Sequence, residues 1–136
     1  LLSVGGNVRV TGPKTDEGTP WIVGIQDPDK LDSYCYKLAV TGGSVVTSGD
    51  YQRFYEVDGK RYHHIIDPET LMPAAYYRSV TVLCEDSGRA DALSTALFNL
   101  PLEKGKELAK TAGVEVLWIP VSGDVVMTDG MENMIK

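Results

Sequence analysis

Asp91 and Thr95 stand four positions apart in a segment whose apolar residues recur with helical spacing. At about 100° per residue, four steps bring the two side chains within about 40° of one another. They lie nearly opposite a leucine stripe and are flanked by Ser94 and Asn99. One carboxylate and one hydroxyl a single turn apart can reach the same hard cation. Mg²⁺ takes oxygen ligands of this kind, commonly together with the phosphates of a nucleotide. A solvated helix face has the same look, and the helix dipole favours Asp91 in a first turn whether or not a metal binds.

Two glycine-bearing clusters add donors. In Thr47-Ser48-Gly49-Asp50-Tyr51, small hydroxyl residues precede a glycine, and a turn of that composition can cradle phosphate oxygens with backbone N–H groups. Gly5-Gly6-Asn7 has the same character. Neither carries a Walker lysine or a spaced Gly-x-Gly-x-x-Gly, and both also suit ordinary turns. His63 and His64 are adjacent in a strand-forming run, so their side chains point to opposite sides. Beside a phosphate, an imidazole can serve as general base or as hydrogen-bond donor. No Ser/His/Asp order, Cys/His pair or His-Glu-x-x-His segment points to hydrolase chemistry. Cys35 and Cys84 lack the spacing of a zinc finger or a disulfide framework and read as buried thiols.

The elements that must position these residues are mostly strands in the first half. Residues 3–10 read as a strand interrupted by Gly5-Gly6, followed by a loop rich in Gly and Pro. Residues 21–25, 36–40 and 44–47 read as further strands. Asp58-Gly59 between the runs 53–57 and 60–66 predicts a tight two-residue hairpin, which Asp67-Pro68 ends. Residues 79–85 are β-branched and predict a strand buried on at least one face. From 89 to 100 the period becomes helical, with Leu93, Ala96, Leu97 and Leu100 as the core stripe. A second helix over 102–112 ends at Gly113, and strands over 114–119 and 124–127 close the chain. The order predicts an α+β fold rather than alternating βαβ units.

With 136 residues, 43% of them hydrophobic and 24% charged, the chain has the makings of one compact domain. A net charge of −6 argues against a nucleic-acid surface, which needs a basic stripe. No apolar run approaches the length of a membrane span. The opening Leu1-Leu2-Ser3-Val4 reads as the middle of a strand, so a portion of a longer protein is expected. An edge left open there suggests pairing between two copies as a homodimer.

Taken in order, Gly5-Gly6-Asn7, Thr47-Ser48-Gly49-Asp50-Tyr51, His64-Ile65-Ile66-Asp67-Pro68-Glu69-Thr70 and Ala90-Asp91-Ala92-Leu93-Ser94-Thr95-Ala96 form a series. That series resembles the C-terminal portion of the ApbE family of FAD:protein FMN transferases, from Gly5 to about Ile119. The resemblance implies a T-fold-like mixed sheet with two helices, residues 1–136 forming an incomplete portion of the full domain. It implies Mg²⁺-dependent transfer of FMN from FAD to a Thr or Ser hydroxyl of a target protein, with AMP released. It assigns the metal to Asp91 and Thr95, and catalysis to His64 and Asp91. FAD contacts fall on Gly5, Gly6, Asn7, Thr47, Ser48, Gly49, His64 and Ile65. It also implies a bacterial protein exported or anchored at the outer face of the cytoplasmic membrane.

Three departures from the family pattern stand out. The family's N-terminal portion, which helps hold the flavin and supplies a backbone carbonyl to the metal, has no counterpart here. Leu71 occupies a position where glycine is usual, and His63 one where a small residue such as Ser is usual. An incomplete site is therefore expected of this chain on its own. FAD hydrolysis to FMN and AMP, and a non-catalytic flavin-binding or scaffolding role, are the alternatives.

Overall fold

The computed structural model describes residues 1–136 as ten strands and three helices. The main sheet is antiparallel throughout, in the order β1 (Leu2–Val4), β2 (Asn7–Val10), β5 (Gly43–Gly49), β8 (Tyr77–Cys84), β9 (Glu115–Pro120) and β10 (Val126–Met127). β3 (Trp21–Gln26) and β4 (Tyr34–Val40) form one separate hairpin, and β6 (Phe54–Val57) and β7 (Lys60–His63) another.

The sheet is covered on both faces, and period-two alternation divides its side chains between two cores. Val46, Val80, Val82, Val116 and Trp118 face the helices α1 (Ser87–Phe98) and α2 (Leu102–Ala112). Their neighbours Val45, Leu83 and Leu117 face the β3–β4 hairpin and the short α3 (Asp129–Glu132). Burial on both sides explains why β8 reads as a continuous apolar run rather than an alternating one.

The α+β expectation holds, with differences of detail. Residues 3–10 are a hairpin rather than one interrupted strand. Gly5 and Gly6 turn it with φ of 59° and 96°, angles open to glycine. The 58–59 turn is as expected, with φ of 50° at Asp58 and 74° at Gly59. A third helix, α3, joins the two expected; at four residues it is too short to show a period. Cys84 is buried and Cys35 half-buried, both as free thiols.

The helix that carries Asp91 is rotated from the expected stripe. Its buried residues are Ala90, Ser94, Leu97 and Phe98, whereas Ala96 is exposed and Leu93 only half-buried. Asp86 caps α1 by accepting the Arg89 N–H at 2.7 Å, and Pro101 prevents its continuation. Arg89 also donates to Ala112 O at 2.6 Å, tying the start of α1 to the end of α2.

Candidate functional site

A polar cleft of about 270 Å³ lies where the end of β5, the exposed face of α1, the β1–β2 turn and the β6–β7 hairpin converge. Val4 is its single hydrophobic lining residue. Antiparallel pairing brings β5 to the centre of the sheet. Because side chains alternate along it, Ser48 points to the α1 side while Thr47 points away.

The Ser48 hydroxyl lies 2.7 Å from that of Ser94 and 3.5 Å from that of Thr95. Ser94 in turn donates to Asp91 O at 2.9 Å, which accounts for a serine on the buried side of a helix. Asp91 and Thr95 both face the cleft, and Asn7 reaches across from the β1–β2 turn to donate to Asp91 Oδ1 at 3.4 Å. Asn99 donates to Thr95 O at 3.0 Å, below the cleft.

His64 stands just beyond the end of β7 and lines the same cleft as Asp91. Its Nδ1 is 3.3 Å from Arg53 O, and a carbonyl can only accept. Nδ1 is therefore the donor, and in the neutral imidazole Nε2 is the nitrogen that keeps its lone pair. His63 is differently used. It is buried, donates from Nε2 to Ala74 O at 2.9 Å and accepts the Ile65 N–H on Nδ1 at 3.3 Å. Phe98 meets its ring edge-on at 5.7 Å, so both nitrogens and the ring are spent on structure.

The end of β5 is clamped from behind. Arg78 binds the Asp50 carboxylate through Nε at 2.9 Å, Asp29 through Nη1 at 2.7 Å and Pro28 O through Nη2 at 3.0 Å. Burial works against the Arg78 charge, but the carboxylates of Asp29 and Asp50 outweigh it and hold the guanidinium pKa above its ordinary value. The Tyr51 ring covers Gly49 so closely that a Cβ there would lie 2.6 Å from the ring. Burial pushes the Tyr51 hydroxyl up to about 12, with Cys35 and Asp50 adding to the shift.

The expected site residues are thus brought together unevenly. Gly5, Asn7, Thr47, Ser48, Gly49, His64, Asp91 and Thr95 border one cleft. Thr47 gives it backbone rather than side chain, since its hydroxyl shares a 2.8 Å hydrogen bond with Thr81. Thr47-Ser48-Gly49 is the end of a paired strand, not a free turn, so its ladder side has no N–H to offer a phosphate. Gly6 lines the neighbouring groove instead. Ile65 is buried in the helix-side core with Val46 and Ala74 and does not line the cleft. Gln52 and Arg53 do line it and carried no sequence signal beyond following Tyr51 directly.

As a cation site the donor set is sparse, with no group of three His, Cys, Asp or Glu residues. An aspartate carboxylate beside a threonine hydroxyl is nevertheless the hard-oxygen pair that Mg²⁺ accepts when phosphates and water complete its shell. The residues fit that ion, and they fit no site made of protein ligands alone.

Fold and cleft together define an α+β domain with a small polar site rich in side-chain oxygens. The ApbE family model matches residues 1–118, and the chain belongs to the ApbE family. It is 41% identical over 130 residues to the FAD:protein FMN transferase of Escherichia coli K12, covering 94% of this chain and 37% of that protein. It is 42% identical over 146 residues to the enzyme of the same name from Treponema pallidum, covering 100% of this chain and 40% of that protein. The crystal structure of the ApbE protein from Thermotoga maritima superposes with a TM-score of 0.82 at 38% identity, covering 97% of this chain and 43% of that one. The flavin transferase ApbE of Vibrio cholerae gives 0.77 at 31%, covering 96% and 42%. The chain spans roughly two-fifths of the length of these relatives, as their C-terminal portion.

Proposed function

We propose that this chain carries the cleft in which FMN is transferred from FAD to a Ser or Thr hydroxyl of a target protein, with AMP released. The observation that supports the reading best is the convergence of Asp91, Thr95, Ser48, Asn7 and His64 on one small polar cavity from four separate stretches of chain. Relatives named FAD:protein FMN transferase give the reaction its class.

In the reaction, the acceptor oxygen forms a bond to the phosphorus on the FMN side of the FAD pyrophosphate. The bond from that phosphorus to the bridging oxygen breaks, and AMP carries the bridging oxygen away. Asp91 and Thr95 would hold Mg²⁺, which would supply the charge neutralisation that phosphoryl transfer chiefly requires. Asn7 holds the Asp91 carboxylate in orientation, and Ser48 does the same for the Thr95 hydroxyl. His64, with Nε2 unprotonated, takes the proton of the acceptor hydroxyl as the new bond forms. Its tautomer favours the base over the alternative of a donor to the phosphoryl group. The exported or membrane-anchored setting follows the family resemblance; no helix of this chain is long and apolar enough to cross a membrane.

The test is incubation with FAD, Mg²⁺ and threonine-centred peptides, followed by mass spectrometry. Transfer yields a peptide carrying FMN through a phosphoester together with one AMP, and Asp91→Asn abolishes it. Free FMN and AMP with unmodified peptide identify hydrolysis instead.

A further inference from the structure

Next to the polar cleft lies an apolar groove of about 620 Å³, between the β6–β7 hairpin and the 66–73 loop. We propose that it receives the extended segment of the target protein that carries the acceptor hydroxyl, an assignment that rests on the transfer reading above. Arg53 and His64 line both cavities, so the groove opens directly onto the base that would take the hydroxyl proton. Of the other borders, α1 presents Asp91 and Thr95 and the β1–β2 turn presents Asn7, while the second groove, lined by Ile22 and Tyr34, meets the cleft at Thr47 and Gln52 rather than at His64. A hydroxyl on a polypeptide reaches His64 only if its flanking residues cross the rim, and the hairpin side is where apolar surface stands open to meet them.

That surface is costly for a solvent-facing wall. Leu71 is 76% exposed and Tyr55 65% exposed, with Phe54, Ile66 and Met72 also exposed around the same groove. Leu71 additionally sits at φ 58°, a conformation that penalises a side chain with a Cβ. An unfavourable backbone presenting an unfavourably exposed leucine beside the cleft is the pattern of a binding position. The aromatic rings are already ordered. Tyr55 and Tyr62 stack at 5.4 Å, and the Arg61 guanidinium lies 4.3 Å from the Phe54 ring centroid. Ordered aromatics lose little entropy when a partner packs on them.

Two further features set the chemistry of the occupant. β6 and β7 form a two-stranded sheet, which leaves each strand one open row of backbone donors and acceptors. An extended peptide can add to such an edge and drop alternate side chains into the groove. The hairpin also carries Arg53, Lys60 and Arg61 against Glu56 and Asp58, and the facing loop carries Asp67 and Glu69, so the rim of the groove is mixed in charge. The occupant is therefore an extended segment with apolar residues at alternate positions about its Ser or Thr and no strong net charge of either sign.

An array of threonine-centred eleven-residue peptides with random flanks, probed with the labelled 136-residue chain, tests this. The wild type should select apolar residues at alternate positions from the threonine. Leu71→Asn, which tolerates the positive φ, and Tyr55→Ser should each weaken that selection at least tenfold while Mg²⁺-dependent FAD binding stays within twofold. Absence of selection, or selection that survives both substitutions, overturns the proposal. So does an FAD titration that perturbs the Tyr55 and Leu71 amides in NMR spectra, since the flavin would then occupy the groove. Peptide selection without any FAD binding would remove the transfer reading, and the acceptor assignment with it.

Discussion

The side-chain amide of Asn7 donates to the Asp91 carboxylate at 3.4 Å, although 84 positions separate the two residues. The contact joins two motifs that are each unremarkable alone, a glycine turn and a polar helix face, into one wall of a site. It exists because β2 pairs with β5 and α1 packs over β5, so the β1–β2 turn arrives at the first turns of the helix. The bond is long and exposed, so its effect should fall on the ligand. Asn7→Ala is expected to leave thermal stability nearly unchanged and to weaken Mg²⁺-dependent FAD binding about fivefold, the value of ~1 kcal/mol for one such hydrogen bond. Calorimetric titration of both chains checks this.

Leu71 should be replaceable to advantage for stability. Its φ of 58° costs a residue with a Cβ about 1–2 kcal/mol, and its exposed side chain makes no core contact that would offset the cost. Glycine removes that strain but gives back about 0.5–1 kcal/mol of unfolded-chain entropy. Leu71→Gly is expected to stabilise the fold by about 0.5–1 kcal/mol in urea denaturation, and Leu71→Val to destabilise it.

The clamp behind β5 predicts an asymmetry. Arg78→Ala leaves the buried Asp50 carboxylate without its partner, and because Arg78 itself is part-exposed the expected loss is about 2–3 kcal/mol, less than for a fully buried pair. Asp50→Asn keeps a hydrogen-bond acceptor and leaves Arg78 with Asp29 and Pro28 O, so it should cost less than half as much. Equal losses from the two variants, measured by denaturant titration, would count against the arrangement.

Stability should fall in alkali across a defined window. Burial raises the Tyr51 and Tyr77 hydroxyls from 10.0 to about 12, Tyr77 while donating to Leu100 O at 3.0 Å. In the unfolded chain both ionise near their ordinary value, so between about pH 10 and 12 the unfolded state binds fewer protons than the native one. Stability is then fully present below pH 10 and decreases as pH rises toward 12. Denaturation midpoints at pH 9, 10 and 11 should show the decline, with a shallower slope in Tyr77→Phe.

Much of this was legible from residue types. Asp58-Gly59 announced a hairpin turn whose geometry needs positive φ at both residues, and both have it. Asp91 and Thr95 were separable from the core face because four residues make nearly one helical turn, and they do face the cleft together. Periodicity failed at Ser94, which looked like the flank of a polar stripe. Its burial depends on Ser48, a partner on strand β5 far away in the chain, and no local pattern reveals such a hydroxyl pair. Thr47 likewise looked available to a ligand until strand pairing set it against Thr81. Ile65 followed a histidine of interest in sequence but turns into the core, since neighbouring residues in an extended chain face opposite ways.

The most direct measurement is an FAD titration of the 136-residue chain, with and without Mg²⁺, for the wild type and Asp91→Asn. The expected result is saturable binding that requires Mg²⁺, shifts the amides of Ser48, Asp91 and Thr95 in NMR spectra, and disappears in Asp91→Asn. Binding that is indifferent to both Mg²⁺ and Asp91→Asn, with shifts elsewhere on the surface, would contradict it.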